Sequence, residues 1–286
     1  MPMTDSPHPS TESAGPILRP QPLDMGDVLD HTLWVIQARF KPLVIVLVCT
    51  VLPANLLVGL AWLGFAFVPF MPGPDGGMTE EGMMLAFGIV FILAMGITAI
   101  ATVVVFPLAV AAVSHIVSTA YFGGDANPWR ALRRAFGRFP VLVVSSLIYY
   151  VAAGIGFMLC FIPGIWLLIA GFLYLPVIAF EPAGPVQAIR RSFRLTEGQR
   201  LRILVLLLVL GVIGSGITML SFVAPIPGIQ QLLEALLGVI SSAIFCVVEA
   251  VLYFSTRSQR ENMDVEALID RVTARVQQGG LEEVVL

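Results

Sequence analysis

Groups able to do chemistry are few in this chain, and they fall into two matching clusters and one isolated carboxylate. Arginines stand at 130, 133, 134 and 138, within and just beyond P-W-R-A-L-R-R-A-F from Pro128 to Phe136. They recur at 190, 191 and 194, within and just beyond P-V-Q-A-I-R-R-S-F from Pro185 to Phe193. The two stretches match at P-x-x-A-[I/L]-R-R-[S/A]-F. Arg133, Arg134, Arg138, Arg190, Arg191 and Arg194 are therefore candidate holders of anionic lipid headgroups, each contributing about 1 kcal/mol at a charged leaflet. A purely topological role, in which arginines kept on one side simply fix orientation, accounts for the same clusters.

The isolated group is Glu249, since Ile244 to Phe254 is otherwise apolar and an ionisable side chain inside a span is costly. Two readings stand: a cation or proton site, or a carboxylate near the end of its helix that snorkels or bonds a neighbour, Arg257 lying about two turns beyond. Glu234, nearer the other end, reads as interfacial. Cys49, Cys160 and Cys246 lie in apolar runs without C-x-x-C spacing and read as small core residues rather than metal ligands or disulfides. His8, His31 and His115 are isolated, and the chain has no H-E-x-x-H, nucleophile elbow or G-x-x-x-x-G-K-[S/T] loop. The sequence nominates no catalytic residue, metal site or cofactor, and the expectation is a protein that is not an enzyme.

These groups must be positioned by helices in a bilayer. Hydrophobic residues make up 57% and charged ones 12%, with mean hydropathy +0.90, where a soluble domain carries roughly 25% charged residues. A hydrocarbon core ~30 Å thick needs ~20 apolar helical residues to cross, and several uncharged runs are that long. The expected fold is all-α: a polytopic integral membrane protein with six transmembrane helices, arranged as three hairpins each preceded by a cytoplasmic amphipathic helix. The spans are expected at about 43–70, 83–121, 139–162, 164–180, 203–222 and 229–254 of a membrane domain covering 23–256. The run from Met83 to Phe122 is too long for one straight crossing. One helix kinked at Pro107 is preferred over two crossings, because a seventh span would put the next arginine-rich loop on the opposite side.

Leu29, Leu33, Ile36 and Phe40 share one face of the first surface helix, Trp129, Leu132 and Phe136 of the second, and Val186, Ile189 and Phe193 of the third. Those faces are expected to dip into the acyl boundary. Turns are expected at Pro72-Gly73, Pro163-Gly164 and Pro227-Gly228, giving a unit of surface helix, span, turn and span used three times. Ala152 with Gly156, and Gly211 with Ser215, have small-xxx-small spacing for close helix contact. Residues 1–22 read as a disordered cytoplasmic tail and 257–286 as a cytoplasmic tail with a short helix, whose stripe Val265, Leu268, Val272 and Val276 packs on the loops or docks a partner. Each of the 16 basic residues lies in the N-terminal segment, the two arginine-rich loops or the C-terminal tail, so both termini are expected to be cytoplasmic.

Glu181 to Gly198, E-P-A-G-P-V-Q-A-I-R-R-S-F-R-L-T-E-G, resembles the E-x-x-G-P-x-x-A-[L/I]-x-R-S-[W/F]-x-L-T-x-G segment of bacterial multi-pass proteins of the glycerophosphoryl diester phosphodiesterase membrane-domain type. Leu23 to Leu43 is similar to that family's G-[D/E]-[I/V]-L-D … N-F-x-P-L start, with Arg39 where Asn is common. The resemblance implies a helical module of the bacterial inner membrane. Some relatives fuse it to a catalytic phosphodiesterase barrel, which Arg257 to Leu286 is too short to supply, so the activity is not carried over. The leading expectation is a non-catalytic module that binds or organises anionic phospholipid, or scaffolds proteins at the inner leaflet, with lipids and a cytoplasmic-face protein as partners and no nucleic acid. The rival is a small-solute or ion transporter using Glu249 and the Pro107 helix. A membrane-embedded enzyme subunit is a second alternative.

Overall fold

The computed structural model of the protein describes residues 25–68, 79–122, 124–223 and 226–277, the side chains of Met25, Ala66 and 261–277 apart. The expected disordered tail, the Pro72-Gly73 turn and the stripe from Val265 to Val276 lie outside what is described. Among the described residues every regular element is helical. In chain order they are α1 (Met25–Ala38), α2 (Phe40–Phe67), α3 (Glu80–Ile100), a π segment (Ala101–Val105), α4 (Phe106–Phe122), α5 (Pro128–Gly137), α6 (Phe139–Leu159), α7 (Phe161–Gly171), α8 (Tyr174–Phe180), α9 (Pro185–Leu195), α10 (Arg200–Met219), a 3-10 turn (Leu220–Val223) and α11 (Pro227–Gln277). Six stretches are long and apolar enough to cross a membrane: Phe40–Phe65, Glu80–Phe122, Phe139–Leu159, Phe161–Phe180, Arg200–Val223 and Pro227–Arg260.

Short helices lead into α2, α6 and α10 through bends of one geometry. Arg39, Arg138 and Gln199 leave helical conformation at φ −121°, ψ 29°; φ −112°, ψ 11°; and φ −117°, ψ 9°. A single residue so placed turns the chain without continuing the helix axis. Local chemistry sets the starts: the Asn127 side chain accepts from Trp129 N and Arg130 N at 3.0 and 3.3 Å, and Pro128 and Pro185 open α5 and α9, where a missing N–H is harmless.

The short helices turn small or β-branched residues inward. Val28, Thr32 and Val35 are buried in α1, Ala131 and Ala135 in α5, and Ala188, Ser192 and Leu195 in α9. Leu33, Phe40, Trp129, Phe136 and Val186, which the periodicity grouped as apolar faces, are exposed. The spacing 28, 32, 35 and 39 repeats at 188, 192, 195 and 199, so α1 and α9 present the same face and end at the same bend.

Several boundaries differ from the sequence expectation. The chain breaks helix at Cys160, at φ −169° and ψ 146°, while Pro163 and Gly164 sit in the first turn of α7. Pro227 is likewise the first residue of α11. Proline in a first turn forfeits no hydrogen bond, so Pro-Gly here starts the returning helix and does not make the reversal. The short helix expected after 257 is no separate element: α11 runs unbroken for 51 residues, roughly 77 Å, because no Gly or Pro occurs from 239 to 277. Glu80–Phe122 is one helical run whose irregularity is the π segment, ending two residues before Pro107. A π turn re-routes the carbonyls that proline leaves without a donor.

Of the cysteines, only Cys246 is buried; Cys49 and Cys160 are exposed. Gly211 and Ser215 are also exposed, and the close approach is instead at Gly214, where an added Cβ would lie 2.7 Å from Ser241 Oγ. Gly156 does meet its neighbour: its added Cβ would fall 3.1 Å from Gly164 Cα. The core is gathered around α4, α8 and residues 246–256 of α11, whereas in α3 Ala94 alone is buried.

Phe161–Phe180 is broken at Phe172 and Leu173, and α9 repairs the break. Ser192 Oγ donates to Ala170 O at 3.0 Å and accepts from Leu173 N at 3.0 Å, and Thr196 Oγ1 donates to Ala170 O at 3.1 Å. Backbone groups freed in an apolar interior require such partners. The S-F-x-L-T part of the second copy thus docks α9 onto a broken helix, while the first copy has Ala135 at the serine position. Ser192→Ala is expected to destabilise the fold by about 1–3 kcal/mol, and Ser215→Ala, whose hydroxyl bonds only its own helix, by less than about 0.5 kcal/mol, as read from unfolding midpoints in mixed micelles.

Candidate functional site

The six arginines nominated by the sequence divide into two groups. Arg138 holds the end of α8: its guanidinium donates to Ile178 O at 3.2 Å and to Glu181 O at 2.6 Å. Arg191 pairs with Glu181, Nε to Oε2 at 3.4 Å, and Glu181 also accepts from Tyr253 Oη at 3.1 Å. Arg257 in turn donates to Tyr253 Oη at 3.3 Å, so α8, α9 and α11 are tied by one polar chain. Arg133, Arg134, Arg190 and Arg194 are exposed and make no hydrogen bond or ion pair among the described residues.

Arg134 borders two hollows that meet at His115 of α4. One, of about 300 Å³, is lined by Ala111, His115, Arg134, Gly137, Arg138 and Ile178; the other, of about 50 Å³, adds Thr119, Asn127 and Arg130. Small residues make the room: Ala111, Ala135 and Gly137 leave space between α4 and α5 that a longer side chain would fill. Arg130 is drawn toward Asp125 at 3.8 Å, an exposed pair of little energetic weight. Arg39 plays at the end of α4 the part Arg138 plays at α8, donating to Thr119 O at 3.2 Å and Gly124 O at 3.5 Å. Gly124 has φ 113°, a conformation that favours glycine and lets the chain turn away beneath that arginine.

Glu249 lies elsewhere, between the spans. It is 2% exposed and makes no hydrogen bond or ion pair among the described residues, so it neither snorkels nor bonds a neighbouring helix. It lines a cavity of about 190 Å³ with Phe106, Tyr149, Tyr150, Phe172, Tyr174 and Phe245. Phe106, Tyr150 and Phe245 are shared with a second cavity of about 380 Å³, reaching Asn55, Thr98 and Thr102. Asn55 and Val58 are shared with a third, of about 180 Å³, that holds Gln231 and Glu234. The π segment contributes Ala101, Thr102 and Val105 to the middle cavity, so the re-routed helix faces this space.

Sequence reasoning found Glu249 but not this series. The signal was present on α11, where Gln231, Ala235, Gly238, Ser242, Phe245 and Glu249 follow one another at alternating steps of four and three residues. That is one helix face about 27 Å long carrying a polar group every second or third turn of an otherwise apolar span. Its small members let other groups in: Asn55 Nδ2 donates to Ala235 O at 3.4 Å and would lie 2.7 Å from a Cβ at Gly238. His, Cys, Asp and Glu come together nowhere as a group of three among the described residues.

The division of the arginines is measurable. Arg138→Gln removes charge-assisted bonds to two carbonyls and is expected to destabilise by about 1.5–3 kcal/mol, while Arg134→Gln changes stability by less than about 0.5 kcal/mol in the same unfolding measurement. Comparison of the chain with protein-family models, with curated proteins and with solved structures finds no match.

Proposed function

We propose that the protein is a non-catalytic integral module of a bacterial cytoplasmic membrane that holds anionic phospholipid headgroups at its inner face. The observation that carries this reading is the set Arg133, Arg134, Arg190 and Arg194, exposed and without partners among the described residues, on two helices of matching sequence. Exposed Trp129, Phe136 and Val186 stand on the same helices and supply the apolar side of an interfacial helix, with guanidinium groups at phosphate level. Arg138 and Arg191, spent on the protein, orient those helices instead of meeting lipid.

Three hairpins are the arrangement proposed. For the middle pair, Ser146 meets Tyr174 at 2.9 Å, Tyr149 Oη donates to Leu168 O at 2.8 Å, and Gly156 abuts Gly164. As one residue number rises the other falls, which supports antiparallel packing of α6 against α7 and α8. The segregation of Lys and Arg supports both termini inside. Kinship with the glycerophosphoryl diester phosphodiesterase membrane domain rests on the two motifs at 23–43 and 181–198 and on nothing else.

A second reading, a path for a small solute, is favoured by one specific observation: three cavities share walls and end on the buried, unpartnered Glu249.

The lipid reading is tested by replacing Arg133, Arg134, Arg190 and Arg194 together by Gln. Phosphatidylglycerol retained through detergent purification, counted by mass spectrometry, is expected to fall at least tenfold with phosphatidylethanolamine unchanged. Unaltered retention in a folded variant defeats the proposal. Orientation is tested separately in a background with Cys49, Cys160 and Cys246 replaced by Ser. An impermeant maleimide is expected to label Glu80→Cys in intact cells and Gly137→Cys only after the membrane is opened.

A further inference from the structure

The Glu249 cavity has a composition that selects a ligand class. Six of its lining side chains are aromatic: Phe106, Tyr149, Tyr150, Phe172, Tyr174 and Phe245. They come from α4, α6, α8, α11 and the break after α7, so the rings stand on several sides of the space and not in one stack. Neighbouring rings fix one another: Tyr149 and Tyr174 have centroids 4.7 Å apart, Phe106 and Phe245 5.7 Å, and Phe172 and Phe245 5.6 Å with planes at 83°. Two of the three tyrosine hydroxyls are turned to the protein, Tyr149 to Leu168 O and Tyr174 to Ser146. What those tyrosines offer the cavity is ring surface.

The Glu249 carboxyl is the sole Asp, Glu, Lys or Arg side chain lining this space, and it has no hydrogen-bond or ion-pair partner among the described residues. Ionising a carboxyl group in that setting is costly on its own and becomes favourable when a counter-charge is brought in from outside. Aromatic faces carry partial negative charge and attract cations, most strongly where water is excluded. A metal ion would need several oxygen ligands, which a wall of rings does not supply. An ammonium carrying small alkyl groups needs only one anion and several π faces, and a space of about 190 Å³ takes such a group and excludes a whole lipid. The adjoining cavities provide approach, with Asn55, Thr98, Thr102 and Ser242 as polar steps between Glu234 and Glu249.

We propose that the cavity formed by Glu249 and its surrounding aromatic rings is a binding site for a small organic ammonium cation. The inference concerns equilibrium binding at the cavity named in the second reading above; it rests on that cavity but not on passage across the bilayer, and a failure of transport leaves it standing. The arginines of the lipid reading are separate, lying on α5 and α9.

The experiment is equilibrium binding of radiolabelled tetramethylammonium to the full chain in nanodiscs of uncharged lipid. Saturable binding is expected, displaced by choline but not by 3,3-dimethylbutan-1-ol, the neutral molecule of choline's shape. Glu249→Gln is expected to weaken binding at least tenfold, Phe245→Leu three- to tenfold, and Glu234→Gln less than twofold. Binding that is absent from the wild type, displaced equally by the neutral alcohol, or unchanged in a folded Glu249→Gln variant overturns the proposal. Should Glu249→Gln not fold, Phe245→Leu and the choline-against-alcohol comparison decide in its place. Flux of the same cation in proteoliposomes is measured separately: binding without flux removes the transport reading alone.

Discussion

Backbone polar groups have no water to turn to inside a bilayer, and the way this chain satisfies them where its helices break organises the rest of the structure. Three breaks show the means. The break between α7 and α8 leaves Ala170 O and Leu173 N to Ser192 and Thr196; the end of α4 is given to Arg39; the end of α8 is given to Arg138. Each repair comes from a short helix or the bend that follows it. The short helices are therefore fixed by the spans' needs, and the exposed arginines they carry are placed as a consequence.

That constraint has a regular form. Arg39 sits at the bend before α2 and reaches the end of α4; Arg138 sits at the bend before α6 and reaches the end of α8. Gln199, at the third bend, meets Gln259 of α11, and Arg260 of α11 donates back to Glu197 O. In the third unit the cation has moved from the bend to the exiting helix, while the contact joins the same two places. Bends of nearly equal dihedral angle and closing contacts of like position recur three times, while inward faces of equal spacing recur in α1 and α9. This likeness is stronger in backbone and contact than in letters, since Arg39, Arg138 and Gln199 share neither a residue type throughout nor a common following motif.

Much of the architecture was legible in the letters and the rest was hidden for identifiable reasons. Composition and uncharged run length carry the six membrane-crossing stretches, because hydrophobic length is a property of the chain alone. Which face of a short helix turns inward was not legible, because hydrophobic periodicity assumes that large apolar residues seek the protein. In a bilayer the large ones can face lipid, and close packing selects the small ones, so Ala131, Ala135 and Ala188 are buried where Trp129 and Phe136 are 63% and 52% exposed. The roles of the arginines were hidden for a different reason: Arg133 and Arg138 look alike in sequence, and the carbonyls that occupy Arg138 belong to residues forty positions away. The cavity series was half-visible, as a polar stripe on α11 whose facing residues, Asn55 and Thr98, are distant in the chain.

The two candidate sites differ in what the protein gives up to keep them. Exposed arginines cost little, since water or phosphate solvates them. Glu249 has no such excuse: it sits among Cys246, Val247, Val248, Ala250 and Val251, all fully buried, where any apolar residue of similar volume would pack without an unpartnered carboxyl group. Structural need does not account for it either, because it caps no helix, closes no break and holds no neighbouring side chain among the described residues. The polar groups that do serve the fold, Ser192, Thr196, Arg138 and Arg39, each have named partners at hydrogen-bond distance. By that contrast Glu249 is a buried carboxyl group for which the described residues supply no partner.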